Sequence, residues 1–494
     1  MTCFPSGNIV DVNGELMRRK QWQWTVMRSA DLESFTMSAA GIGPITTKEE
    51  LIAATERDGV EFLFAMFVDL HGKPCAKMVP VSAIDGLMAD GAGFAGFAAG
   101  SMGQSPSSPD IQAMPDLSSY LPAPWRPGLG IIQCDPYVLG EPWCFAPRVI
   151  LRRQIERLAN SGLALKVGAE AEYFLVRRSA SGGIEVADPL DQAKAPCYDA
   201  RSLTRMYDHL TTVSRHMNSL GWANYANDHE DANGQFEQNF KYADPMTTAD
   251  RVIVFRYMIH SLAAEAGMLA TFMPKPFTNK TGNGLHMHLS LWDEDDSELF
   301  RDPDDGRGLG MSTMGYSFIA GLLEHAHALT AVACPTVNSY KRLASPAPDS
   351  GASWSPVFAT YGGNDRTHML RVPDAGRVED RCIDGSANPY LAISSLIAAG
   401  LDGIERGLNP GDPCELNLLK LTEQEAAERG LKSMPMTLWH ALDHLEADHV
   451  LREGLGKTPD GDYVDYFVAT KRAEVRSSHT EVTPWELDHY LSAF

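Results

Sequence analysis

At 494 residues the chain is too long for one ordinary core; a length of about 150 residues per domain gives two or three domains, or a large one with a small one attached. It is 44% hydrophobic and 21% charged with a mean hydropathy of −0.20, which supplies a large core and excludes wholesale disorder. Lys and Arg number 42 against 64 Asp and Glu, a net charge of −22, so nothing chain-wide draws it to nucleic acid or an anionic membrane surface, although a local basic pocket for phosphates stays open.

No stretch is long and apolar enough to span a bilayer, and the N-terminus lacks the apolar centre of a signal peptide. The eight cysteines form no CxxC pair and no zinc spacing. The expectation is a cytoplasmic protein with reduced cysteines and no nucleic-acid or membrane partner.

Residues 1–45 read as an irregular extension, with Arg18-Arg19-Lys20 followed by Trp22 and Trp24. Thr47-Lys48-Glu49-Glu50 reads as a capping box that starts a helix. EFLFAMFVDLHGKPCAKMVP reads as two strands joined at His71-Gly72-Lys73. The segment from Gly91 to Asp110 is rich in glycine and serine and reads as a loop. Phe94 and Phe97 make it unusually apolar, which suggests a buried or inter-subunit role. After Pro147 the texture changes to an amphipathic helix, the strand LALKVGAEAEYFLV, and three long helical patterns starting at Thr248, Gly315 and Asn388. The domains expected are an extension over 1–45, a small domain over 46–147 and a larger α+β domain over 148–494.

Several strand-like segments carry charged or ligating residues two apart, which alternation places on one face. Glu170 and Glu172 form one such pair, His286 and His288 another, and Arg377, Glu379 and Arg381 a third set. Glu230 and Glu237 flank a glycine turn at adjoining strand ends. One such pair alone is ordinarily a solvent-facing strand. Four segments with apolar opposite faces (Tyr173 and Leu175; Leu285, Met287 and Leu289) suggest polar faces converging on one cavity. So many carboxylates together repel unless cations neutralise them, and oxygen ligands with an occasional imidazole suit Mg²⁺ or Mn²⁺. Arg342, Arg366, Arg371, Arg377 and Arg381 add guanidinium forks that match phosphate and carboxylate geometry. Carboxylate-held metals with arginines are what phosphoryl transfer from a nucleotide needs. Two lookalikes fail: GLGKT at 454–458 has Leu451 where a phosphate loop needs its first glycine, and no GxGxxG precedes a helix.

The segments FVDLHGKPCAKMVP, GAEAEYFL, HEDANGQFE, FMPKPF with GNGLHMHLSL, NSYKRL, RVEDRCIDGSANPYLA and AGLDGI follow one another over about residues 50–494. In kind and order they resemble the glutamine synthetase family. The resemblance implies a small N-terminal β-grasp domain and a large catalytic domain with a curved antiparallel sheet. It also implies active sites between neighbours in a hexameric ring, two rings forming a homododecamer. Carried over, Glu172, Glu230 and Glu237 would hold one metal, and Glu170, His286 and Glu379 another. His288, Arg371 and Arg377 would serve ATP; Gly282 and Arg342 would hold glutamate, with Arg381 near its γ-carboxylate. Arg366 would sit on the transferring phosphoryl group, making Glu230, Arg366 and Arg381 the catalytic residues. All six metal positions match in residue type, so intact chemistry is implied.

Three departures matter. Leu419 stands where regulated members carry an adenylylated tyrosine. FAGFA replaces the FDGSS of ammonia-using members, so Ala95 stands in place of the ammonium-binding Asp. The flap after NSYKRL has no Glu before SWSP and offers only Asp349. Ammonium is small and strongly hydrated and needs carboxylates to replace its water. An amine pocket of Ala95, Phe97, Tyr198 and Asp349 suits an organic amine better, as in the γ-glutamylmethylamide and γ-glutamylanilide synthetase branch. Between methylamine and an arylamine, the aromatic loop and the long extension lean toward the arylamine. Two other readings stay open: an ordinary ammonia-using glutamine synthetase in which Asp349 and Glu230 replace the lost Asp, and a catalytically inactive structural relative.

Overall fold

The computed structural model describes residues 45–494 apart from Ser181, residues 344–353, Asn417, Leu419, Lys420 and Thr422. The expected extension up to residue 44, Asp349 and Leu419 therefore lie outside the described residues. Gly43–Phe494 form one compact unit.

Helix α1 (Lys48–Arg57) starts at the expected capping box: Thr47 Oγ1 accepts from the Glu50 N–H, and the Glu50 carboxylate takes the Thr47 N–H. Two orphan donors of the first turn are thereby satisfied. Strands β1 (Phe62–Val68) and β2 (Pro74–Pro80) pair antiparallel across the expected turn. The glycine-rich segment is more ordered than a loop at its start, where β3 (Ala92–Phe94) leads into a single helical turn, α2 (Gly96–Ala99). Edge-on packing of Phe94 against Phe67, ring centroids 4.9 Å apart, anchors it. Strands β4 (Ile111–Pro115), β5 (Leu121–Pro122), β6 (Leu129–Val138) and β7 (Glu141–Pro142) complete a seven-stranded sheet in the order β2-β1-β6-β4-β3, with β5 and β7 on β6.

The second sheet begins after Pro147. Helix α3 (Pro147–Asn160) precedes the 16-residue β8 (Leu163–Arg178), which also carries β9 (Ile184–Val186). β10 (Ala226–His229), β11 (Gln235–Asn239), β12 (Leu269–Thr271), β13 (Leu285–Asp293), β14 (Tyr361–Gly362), β15 (Leu370–Arg371) and β16 (Val378–Asp380) follow, ordered β10-β11-β8-β13-β16-β15-β14 with β9 and β12 on β8. Along β8, Leu165, Val167, Ala169 and Ala171 are buried while Lys166, Gly168 and Glu170 between them are only half-buried. Helices α3 and α4 (Pro245–Glu265) pack on this strand.

The helix expected from Gly315 is two helices, α5 (Thr313–Glu324) and α6 (Ala326–Ala333), broken at His325. Its ring explains the break: Nδ1 lies 2.6 Å from Asp448 and Nε2 3.0 Å from Asp402, an arrangement a straight helix does not supply. Helix α7 (Ser339–Leu343) carries Arg342, and α8 (Pro389–Glu405) crosses α5 at backbone contact. A Cβ added to Gly321 there would lie 2.1 Å from the Ala399 carbonyl oxygen, so glycine is required.

A buried charge cluster ties the two sheets together. Arg148 on α3 reaches Asp135 at 2.7 Å, Asp116 at 2.8 Å and Asp250 at 3.0 Å. Arg152 also binds Asp116 and Asp135, and the Tyr390 hydroxyl donates to Asp250. Among the described residues no helix is long and apolar enough to cross a membrane, and the seven described cysteines are free thiols.

Candidate active site

The register of β8 assembles the site. Glu172 pairs with Glu237 on β11, Glu170 pairs with His286 on β13, and His288 pairs with Glu379 on β16, which in turn pairs with Arg371 on β15. Five strands thus place seven polar side chains in neighbouring positions. The paired positions read from the sequence do converge.

Distances refine the grouping. Glu170, Glu237 and His286 offer ligand atoms within 4.8 Å of one another, as do Glu170, His288 and Glu379. Glu170 belongs to both groups, and His288, expected to serve ATP, stands at ligand distance from the second. Glu172 and Glu230 enter neither group, Glu172 being held by the Gln235 side chain at 2.9 Å and the Gly284 N–H at 2.8 Å. His288 Nε2 is 3.0 Å from Glu170, yet neither of its buried ring nitrogens makes an aligned hydrogen bond. Buried polar atoms without partners are rare in native proteins and mark a place for a ligand.

Charge balance gives the same message. Burial, then Glu172, Asp228, Glu170 and Asp231, push the Glu230 carboxyl up to about 8. Burial and the neighbouring Glu230, Glu170 and Glu172 raise Glu237 well above the carboxylate range. For Glu170 burial is outweighed by the adjoining His286 and His288 imidazoles, which hold it low. His286 itself is lowered by burial and by Arg381, so it is neutral and has a lone pair to offer. Arg381 and Arg371 (Nη1 to Oε2, 2.7 Å) clasp Glu379, whose carboxyl is held down to about 2 by Arg381, His286 and His288 despite its burial. Carboxylates that protonate for want of a counter-charge, beside the neutral His286 imidazole, make a donor set that fits hard divalent cations.

Lining residues of an adjoining cavity of about 450 Å³ include Glu170, His288 and Arg377, with Tyr225, Tyr242 and Trp292 supplying aromatic walls. Arg377 pairs with Asp374 at 2.7 Å. Carboxylate, imidazole and guanidinium at one end of an aromatic cavity suit a nucleotide with its phosphates toward the metal groups. On the far side, Arg342 donates to the carbonyls of Cys382 (2.8 Å) and Arg381 (3.1 Å). Gly282 leaves no room beside it: an added Cβ would sit 2.3 Å from the Pro274 carbonyl oxygen and 3.0 Å from Arg342. Arg342 and Gly282 are brought together as expected.

The remaining predicted residues divide. Tyr198, at φ 63, donates its N–H to the His229 carbonyl and lies in electrostatic reach of Glu230 and Arg366. Arg366 is exposed, and its carbonyl accepts from Arg381 Nε at 3.2 Å. Ala95 and Phe97 sit elsewhere, exposed on the edge of the first sheet, and share none of the site's described hydrogen bonds, ion pairs or cavity lining. A single chain does not bring them to the carboxylates.

Sequence reasoning missed the support beneath Glu230. Asp191 takes His229 Nε2 and the Gly234 N–H, both at 2.7 Å, and also the Asn233 amide, while His229 Nδ1 bonds the Glu230 carbonyl at 2.9 Å. Asp191 lies 38 residues before His229 with no local signal. Trp354 was missed too: its indole Nε1 donates to Asp231 at 2.9 Å and its carbonyl meets Arg381 at 3.5 Å.

Residues 145–490 match the model of the glutamine synthetase catalytic domain, and the chain belongs to the glutamine synthetase family. It is accordingly an ATP-dependent ligase of a family that uses divalent metals. It is 42% identical to the glutamate–methylamine ligase of Methyloversatilis universalis, over 88% of this chain and 97% of that protein. It is 40% identical to a glutamine synthetase of Rhizobium leguminosarum bv. phaseoli, over 89% of this chain and 99% of that one. A solved GmaS–ADP complex superposes with a TM-score of 0.83 at 45% identity, covering 89% of this chain and 99% of that one.

Proposed function

We propose that the protein joins the γ-carboxylate of glutamate to a small organic amine, with ATP as the energy source and a γ-glutamyl phosphate as intermediate. The observation that carries the reading is the cluster of Glu170, Glu237, His286, His288 and Glu379 beside an aromatic cavity, in a chain that resembles a glutamate–methylamine ligase. That likeness moves the acceptor from the arylamine favoured by the loop toward an alkylamine such as methylamine. Glu170, Glu172, Glu230, Glu237, His286 and Glu379 would hold two or more Mg²⁺ or Mn²⁺ ions, which supply charge neutralisation for phosphoryl transfer.

In this reading Arg377, Arg371 and His288 orient ATP, while Arg342 and the Gly282 backbone packed against it seat glutamate. Arg381 and Arg366 offset charge on the carboxylate and the moving phosphoryl group. Glu230 and Tyr198 face the incoming amine, with Ala95 and Phe97 supplied by a neighbouring copy, since one chain keeps them apart from the site. A neighbouring copy implies a homo-oligomer, proposed as a homododecamer of two hexameric rings in the cytoplasm. Residues 46–147 and 148–494 are proposed as its two domains, with the boundary at the end of the first sheet.

Phosphate release from ATP, with glutamate and Mg²⁺ fixed, is to be measured across ammonia, methylamine, putrescine and aniline, with product masses confirmed. High turnover with methylamine and little with ammonia is expected. Preference for ammonia would return the chain to ordinary glutamine synthesis, and silence with every amine would favour an inactive relative.

A further inference from the structure

The loop after Glu230 is held from three directions. Asp231 Oδ2 accepts from Thr281 Oγ1 at 3.1 Å as well as from the Trp354 indole at 2.9 Å. Trp354 in turn presents its carbonyl to Arg381, the guanidinium that also grips Glu379 and the Arg366 carbonyl. One residue thus bridges the Glu230 loop and the arginine side of the site. Trp354 is 36% exposed, and the one polar atom of its side chain is committed to Asp231.

We infer that Trp354 is the selectivity wall of the acceptor position, its ring face receiving the alkyl substituent of an amine and discriminating against ammonia. This rests on the organic-amine reading above and names the residue that enforces it. An alkylammonium ion is less hydrated than ammonium and carries an apolar group, so an aromatic face offers it both dispersion contact and attraction to the ring quadrupole. Ammonium shares the attraction to the ring but has no apolar surface to bury and loses more hydration on entering the site. The indole N–H bond to Asp231 fixes the ring's orientation beside Glu230, and Arg381 fixes the backbone behind it. Tyr198 lies in electrostatic reach of Glu230, Asp228 and Arg366, and Glu230 of Asp228 and Asp231, groups that would supply the polar surroundings of the amine nitrogen.

The test compares kcat/KM for methylamine and for ammonia in the wild type, Trp354→Ala and Trp354→Gln. Glutamate-dependent ATP–ADP exchange without amine serves as the control for the earlier step. The expected result is a methylamine-to-ammonia ratio lowered about tenfold in both variants, with the exchange rate kept within a few-fold. Gln retains a donor able to reach Asp231 and lacks the ring, so it separates the wall from the anchor. An unchanged ratio in either folded variant overturns the role of Trp354. A wild type that itself prefers ammonia defeats the organic-amine reading and this proposal with it. A wild type that prefers methylamine alongside variants that keep its ratio defeats this proposal alone.

Discussion

Two buried charge clusters in this chain differ in how their charges are matched. Around Arg148, two guanidiniums meet three aspartates, and a tyrosine hydroxyl supplies a further donor. Burial opposes the charge of Asp116, but Arg148, Ser118 and Arg152 hold that carboxyl far below its usual range. Around Glu230 and Glu237 the charged neighbours that act on them are themselves carboxylates, Arg371 and Arg381 are committed to Glu379, and both carboxyls rise. A cluster that carries its own cations is a structural tie, although burial still raises Asp250 within it. An unmatched one is a receptor for cations, because the missing charge is left for the ligand to bring.

That contrast can be broken from either side. Removing Glu230 strikes the receptor: Glu230→Ala should cut γ-glutamylamide formation on the order of 10³-fold, read as product mass per turnover of ATP, with little change in melting temperature. Full activity in this variant would sink the site assignment. Removing Arg148 strikes the tie: Arg148→Ala leaves three aspartates facing each other and should cost about 3–5 kcal/mol in denaturant unfolding, irrespective of Mg²⁺. A variant as stable as the wild type would show that the cluster does not hold the sheets together.

Metal addition sharpens the comparison. Mg²⁺ at 100 times its dissociation constant should stabilise the wild type by about 2.7 kcal/mol and leave Glu237→Gln much less affected. The pH dependence has a definite sign. Glu230 is raised from 4.5 to about 8 in the folded, metal-free protein, so folding binds a proton there. The associated stability is complete below about pH 4.5 and is lost as pH rises toward about 8. Saturating Mg²⁺ should flatten that decline, since the cation replaces the proton; a decline unaltered by metal would speak against binding at this cluster.

A smaller effect is expected at His325, where burial opposes the charge but Asp448 and Asp402 outweigh it and raise the imidazole. Its contribution is present below the ordinary value of 6.5 and is lost as pH climbs through the raised one. His325→Gln should therefore cost about 1.5 kcal/mol at pH 6 and less at pH 9, measured by thermal unfolding at both.

Much of the site was legible because it is built on alternation. Glu170 and Glu172, and His286 and His288, needed only the two-residue repeat of a strand to be placed on one face, and the Thr47 box named its helix start from four letters. What stayed hidden depends on contacts distant in sequence. Nothing around Asp191 announces that it will support the Glu230 turn, and nothing in SWSP shows that Trp354 will reach Asp231. The break at His325 was equally invisible, since apolar periodicity runs through it and only two remote aspartates explain it. Ala95 and Phe97 fall in a third class: their motif is clear, yet the first sheet holds them away from the carboxylates of their own chain.

The register of β8 and β13 also governs how this protein tolerates change in length. Met287 is buried in the core between His286 and His288, so both imidazoles depend on strict parity along β13. Adding one residue before His286 would send both rings into the apolar interior and bring Met287 to the carboxylates, undoing the site without altering one of its side chains. Within the segment from Gly91 to Asp110, the serine-rich stretch beyond α2 carries no such parity. Insertions are tolerable there and ruinous a few strands away, which separates the part of the chain free to vary in length from the part whose residue count is fixed.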